Sequence, residues 1–160
     1  MEIDKIRAKA RNNAYALLRI RLRSEREIRD RLKLRGYATG LIEEIIEGLK
    51  KIGDIDDSKF AMAWMESRMH SNPVGDAVLK RELQMKGLSD EIIADTLKNK
   101  SENYDEYEIA LSMAGARFER LKRLDRQKAG KRLYDFLLRR GFTYDNVKRV
   151  VESVIRKGED

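Results

Sequence analysis

The residues Ile28-Arg29-Asp30-Arg31-Leu32-Lys33-Leu34-Arg35-Gly36-Tyr37 place apolar side chains four apart at Ile28 and Leu32, then close on a basic residue, a glycine and a bulky apolar residue. The same order returns in Leu79-Lys80-Arg81-Glu82-Leu83-Gln84-Met85-Lys86-Gly87-Leu88 and in Leu133-Tyr134-Asp135-Phe136-Leu137-Leu138-Arg139-Arg140-Gly141-Phe142. Counting forward from each glycine by six gives Ile42, Ile93 and Val147, and by ten Ile46, Leu97 and Val151. Both spacings keep one face of a helix apolar. The chain is therefore an internal repeat with a period of about 50 residues, each unit built of helices around a glycine turn.

This reading predicts an all-α protein of three tandem three-helix repeats in an elongated, curved array. Their bounds are 4–53, 54–100 and 105–157. In the first unit helices are expected over Ile6–Leu22, Glu25–Arg35 and Leu41–Lys51. Ser24 with Glu27 fits a capping box, and Gly36 suits the left-handed position that ends a helix. The second unit opens at Gly53, with an Asp capping a helix that starts near Ser58, and continues with Val74–Lys86 and Glu91–Asn99. A polar hinge over Lys100–Asp105 leads to Glu106–Leu124, Lys128–Arg140 and Tyr144–Arg156.

Composition agrees with helices: 39% of the 160 residues are charged and there is one proline, Pro73. No cysteine and a single histidine, His70, leave nothing for a thiolate metal site, a disulfide or a His-based triad. No cofactor and no metal are expected, and an enzyme is disfavoured because nucleophile, base and orienting group cannot be assembled. With no apolar run long enough to span a bilayer, the expectation is a cytoplasmic monomer away from the membrane.

The net charge of +7 points to an anionic partner, and its distribution is uneven. Residues 5 to 35 carry twelve cations against three acids, whereas 89 to 108 carry seven acids against two cations. On a helical wheel with Ile28 and Leu32 inward, Arg26, Arg29 and Lys33 form an outward cationic stripe. In the second repeat it is reduced to Lys80. A second basic cluster comprises Arg120, Lys122, Arg123, Arg126, Lys128, Lys131 and Arg132. A solvated helix face is the plain alternative for both groups. The functional candidates are Arg26, Arg29, Lys33, Lys80, Arg123, Arg126, Lys128, Lys131 and Arg132, meeting phosphate oxygens or an acidic protein surface. Trp64 reads as core packing rather than a base-stacking platform, Asp56 and Asp57 as a helix cap rather than a metal pair, and Leu138 as an outward apolar contact point.

The run Lys51-Ile52-Gly53-Asp54-Ile55-Asp56-Asp57-Ser58-Lys59-Phe60-Ala61 resembles the signature of the RecX regulatory family. Arg68, Gly75, Leu79 and Glu82-Leu83-Gln84-Met85-Lys86-Gly87-Leu88 continue that pattern in order and spacing. Ala14-Tyr15-Ala16-Leu17-Leu18 with Arg23-Ser24-Glu25 is similar to the family's first repeat. The chain departs from the pattern at Asp76-Ala77-Val78, where the family often carries proline and basic residues. The resemblance implies a protein that binds the RecA recombinase filament on single-stranded DNA and modulates it, usually by inhibition, with direct DNA contact possible. The rival reading is a stand-alone nucleic-acid-binding protein whose helix-turn-helix-like units dock directly on DNA.

Overall fold

A computed structural model describes residues 1–159 and contains nine α-helices among the described residues, with no strand. In chain order they are α1 (Glu2–Ile20), α2 (Glu25–Leu34), α3 (Thr39–Lys51), α4 (Asp57–Ser71), α5 (Asp76–Met85), α6 (Asp90–Asn103), α7 (Glu106–Glu119), α8 (Arg126–Arg139) and α9 (Tyr144–Lys157). No described helix is long and apolar enough to cross a membrane.

Local chemistry accounts for the helix ends. The Ser24 hydroxyl accepts the Glu27 N–H at 3.2 Å while the Glu27 carboxylate accepts the Ser24 N–H at 3.1 Å, the reciprocal pair of a capping box. At the other end of α2, Gly36 sits at φ +82° and lets Tyr37 N–H reach back to the Leu32 carbonyl at 3.3 Å. Gly87 and Gly141 repeat this, with Leu88 N–H donating to Leu83 O and Phe142 N–H to Leu137 O. A Cβ at positive φ is strained, so the sequence spends a glycine at each turn.

The chain divides into two compact units, one of residues 1–64 with 83–93, the other of residues 65–82 with 94–160. In the first, α1, α2 and α3 bury Ala10, Ala14, Ile28, Leu32, Ile42, Ile45, Ile46 and Leu49 together with Ile55. In the second, α7, α8 and α9 bury Ala110, Ala114, Leu121, Ala129, Leu133, Leu137, Phe142, Val147, Val150 and Val154. Each fully buried aliphatic side chain contributes roughly 1.5–3 kcal/mol of transfer free energy.

Each unit contains one copy of the same junction. In the first, the Ser24 hydroxyl at the start of α2 donates to the Lys86 carbonyl at 2.8 Å, and a Cβ on Gly87 would overlap the Arg26 side chain. In the second, Gly75 N–H at the start of α5 donates to the Arg140 carbonyl at 2.8 Å, and a Cβ on Gly141 would overlap the backbone and side chain of Val78. Gly75 has its own reason to lack a side chain, because a Cβ there would fall on the Gly141 backbone. The glycine turn of one repeat thus seats on the N-terminus of the second helix of the repeat before it.

Several expectations are corrected. Most of the polar hinge is helical: α6 continues to Asn103, leaving residues 104 and 105 outside the helix, and Lys100 is buried, its ammonium 2.7 Å from Asp76 and 3.7 Å from Glu106. The long first helix of the third repeat stops at Glu119, with Arg120 to Asp125 forming a turn before α8. Leu138 is not a free contact point, since it packs against the core of α7, α8 and α9. The helix α4 is capped by Asp56, whose carboxylate accepts Lys59 N–H, whereas Asp57 turns away and accepts Glu25 N–H at 2.8 Å.

Candidate functional site

Two groups of cations stand out, one in each unit, and carboxylates neutralise them unevenly. On α2, Arg29 is held by Glu43 from α3 at 2.7 Å and by Glu25 at 2.9 Å. Hydrogen bonds to Glu43, opposed by desolvation and joined by Glu25, raise its pKa further above the ordinary arginine value. The predicted stripe is therefore interrupted at its centre. Arg26 lies against the Gly87 turn with only a 3.8 Å approach to Asp30, and Lys33 is exposed with no acid partner among the described residues. The cleft of about 550 Å³ beside Arg26 and Arg29 is also lined by Glu25, Asp56 and Asp57, so its charge is mixed.

The stronger concentration of unpaired positive charge in this unit lies in the connection before α2 and along the outside of α2. Arg23 has a buried Nε with no hydrogen-bond partner, and its pKa is lowered first by burial and then by the charge of Arg21, with Arg31 adding to it. Arg21 is partly satisfied by Glu27 at 2.8 Å, while Arg31 and Arg35 are exposed with no salt bridge to a described residue. Charge density along residues 5 to 35 signals this group, but the wheel hid it: Arg21 and Arg23 precede α2 and lie off its periodicity.

Glu27 organises the border between these cations and the repeat junction. Burial alone would raise its pKa, but hydrogen bonds from Arg21, Lys86 and the Ser24 N–H outweigh that and hold it at about 2. Lys86 donates to Glu27 at 2.8 Å and stands 5.0 Å from the centre of the Trp64 ring, which itself stacks on Phe60 at 5.9 Å. Trp64 is thus engaged in packing, the reading its helical spacing suggested, and also in a cation contact that the sequence did not signal.

In the other unit, Lys80 on α5 is exposed and makes no salt bridge with a described residue. The turn between α7 and α8 gathers the remaining candidates. Lys122 pairs with Glu119 at 2.6 Å, Arg126 with Glu159, and Lys128 loosely with Asp125 at 3.8 Å. Arg123, Lys131 and Arg132 are exposed and make no salt bridge with any described residue. The first turn of α8 carries no acidic residue, so Arg126 and Lys128 face the positive end of the helix dipole. Beside them a groove of about 540 Å³ opens between α8 and α9, with Gly130, Tyr134, Val151 and Ile155 as its floor. Arg140, which sequence inspection left aside, is structural: its guanidinium donates to the Asn72 carbonyl, the Asn72 side chain and the Pro73 carbonyl.

Comparison with known proteins locates this arrangement. The family model of the first three-helix domain of RecX matches residues 10–49, that of the second 56–97 and that of the third 104–151. The chain is 31% identical over 147 residues to the regulatory protein RecX of Bacillus licheniformis, covering 92% of this chain and 56% of that one. It is also 31% identical to the regulatory protein RecX of Prosthecochloris aestuarii, covering 92% of this chain and 94% of the other. It thus spans about half of one relative and nearly all of the other. Among solved structures, RecX from Lactobacillus salivarius superposes with a TM-score of 0.80 at 24% identity, over 92% of this chain and 96% of that chain. A second regulatory protein RecX gives 0.82 at 21% identity, over 91% and 73% of the two chains.

Proposed function

This chain belongs to the RecX family of regulatory proteins, and on that premise we propose that it binds the RecA recombinase filament on single-stranded DNA and inhibits it, acting in recombination and DNA repair. The protein is a cytoplasmic, monomeric, non-enzymatic regulator in this reading. The observation that supports it is the pair of cation groups lacking carboxylate partners: Arg23, Arg31, Lys33 and Arg35 in one unit, Arg123, Lys131 and Arg132 in the other. Such groups repel one another in the free protein and are relieved by a polyanion, whether phosphate backbone or an acidic protein surface.

The test is ATP hydrolysis and strand exchange by the cognate recombinase on single-stranded DNA, titrated with this protein well below one copy per recombinase protomer. Inhibition at low ratios with weak affinity for bare DNA is the expected result. An effect that appears only once the DNA itself is saturated would sink the filament reading and favour the stand-alone DNA binder.

A further inference from the structure

We propose that the groove between α8 and α9 is a docking site for a protein segment in which an apolar residue is followed by two acidic residues at the start of a helix. The argument comes from the repeat itself. Measured from the glycine turns, Gly130 and Lys131 correspond to Glu25 and Arg26, and Val151 and Ile155 to Ile46 and Lys50. In the first repeat the next segment of the chain lines one side of this place and leaves a cleft of about 550 Å³ beside it. Ile55 is buried in the core of α1, α2 and α3, and the Asp57 carboxylate accepts the Glu25 N–H. The segment that lines it, Ile55-Asp56-Asp57, is an apolar residue followed by two acids, with Asp56 capping α4.

In the second repeat the next segment again lines the equivalent place, here around a cleft of about 530 Å³ and through an ion pair rather than a helix cap. Asp76, equivalent to Glu25, faces the segment Tyr104-Asp105-Glu106 across Lys100, and Asp105 caps α7 by accepting Glu108 N–H. An apolar residue and two acids again open the next helix. In the third repeat the corresponding groove is lined by α8 and α9 alone, with no further segment among the described residues.

Three features of that groove fit the same type of occupant. Its floor is apolar, where the first repeat has Glu25 and Lys50. Gly130 lies inside α8 without positive φ, and a Cβ there would stand 3.9 Å from Val151 and Ile155, an ordinary contact. The fold does not require glycine at 130; its lack of a side chain keeps the floor open. Third, Lys131 stands on the rim with no acid partner among the described residues, while Arg126 is paired with Glu159 and Glu152 also lines the groove. An occupant's carboxylate therefore meets Lys131 here, in place of the helix N-terminus that Asp57 meets.

The structure also distinguishes this occupant from another whole repeat. Helix α8 begins one turn earlier than α2 or α5 relative to its glycine, and Ala129, equivalent to Ser24 and Gly75, already gives its N–H to Asp125 at 2.9 Å. The seat used by a glycine turn is thus taken, and the flanking groove remains. Nucleic acid supplies no aliphatic ridge to cover that floor, so the groove selects protein.

The inference does not rest on the recombinase reading and is tested without it. The probe is a synthetic peptide of residues 53–66, Gly53-Asp54-Ile55-Asp56-Asp57 through Glu66, added to the ¹⁵N-labelled full chain. Saturable shifts of the Gly130, Lys131, Val151 and Ile155 amides are expected, with affinity falling roughly tenfold or more on Gly130→Leu, which fills the floor, and on Lys131→Glu, which reverses the rim. Unfolding curves of both variants establish that they are folded, and the exposed Lys131→Glu serves alone if Gly130→Leu is not. A peptide with both Asp56 and Asp57 replaced by Asn should bind correspondingly weakly. Shifts confined to other regions, binding indifferent to these substitutions, or a single-stranded oligonucleotide reproducing the same shifts with the same sensitivity would each overturn the proposal.

Discussion

Ser24 is a fully buried hydroxyl that serves two partners at once, the Glu27 N–H of its own helix and the Lys86 carbonyl across the repeat junction. Replacing it with alanine removes a cap and leaves a buried carbonyl short of a donor, so Ser24→Ala should lower the unfolding free energy by about 2 kcal/mol in urea titrations. Glu27 makes the same border sensitive to acid. Its folded pKa, about 2, lies below the unfolded value of 4.5, so its stabilisation is present above pH 4.5 and is lost as pH falls toward 2. Thermal melts between pH 6 and 2 should show this loss in the native chain and a shallower one in Glu27→Gln, a difference of about 1–2 kcal/mol after solvent screening. Lys100 offers a contrast: Lys100→Met keeps the buried stem but leaves Glu106 without its cation and should destabilise, and Lys100→Ala, which also empties the space of the stem, should destabilise further, by about 2 kcal/mol or more.

For the elements, the glycine turns rank themselves. Gly36 has no neighbour within 4 Å of a hypothetical Cβ, so Gly36→Ala costs only the strain of positive φ, about 1 kcal/mol. Gly87→Ala must also displace the Arg26 side chain, and Gly141→Ala must move the Val78 backbone. The order of destabilisation in unfolding curves should be Gly36, then Gly87, then Gly141, the last exceeding about 3 kcal/mol. These turns and the Ser24 cap were legible in sequence because each depends on a few neighbouring residues whose chemistry is local. What periodicity did not reveal depends on a neighbouring helix. Arg29 looked free on the wheel because Glu43 arrives from α3, Leu138 looked outward because another helix of the α7, α8 and α9 bundle covers it, and Lys100 looked like hinge because its partners sit 24 positions before and six after. Asp57 was read correctly as a capping group but assigned to the wrong helix, a choice that only tertiary contact decides.

At the level of the whole molecule, the cation groups rather than the total charge determine the expected behaviour toward an anionic filament. Paired and unpaired cations look alike in a sequence, which is why Arg29 and Arg126 stood beside Arg123 and Arg132 among the candidates. The double reversal Arg123→Glu with Arg132→Glu should raise the concentration needed for half-inhibition of recombinase ATP hydrolysis roughly tenfold, and the deficit should shrink as salt rises. Arg29→Ala should instead show up in unfolding curves with inhibition nearly unchanged, since its guanidinium already belongs to Glu25 and Glu43.

The seating of a glycine turn on the preceding repeat also acts as a ruler. From Ser24 to Gly36 and from Gly75 to Gly87 the count is twelve residues in both cases, and one end of each span touches a neighbour through the backbone or a buried hydroxyl. Adding or removing a residue inside either span rotates Ile28 or Leu79 off the core by about 100° and withdraws the turn from its seat at the same time. Length can drift only outside the ruler. The third repeat does this where α8 gains one full turn ahead of Ala129, and the distance from Gly87 to Gly141 is three residues longer than that from Gly36 to Gly87. Natural insertions and deletions in such chains should therefore gather upstream of the second helix of each repeat and spare the twelve-residue span.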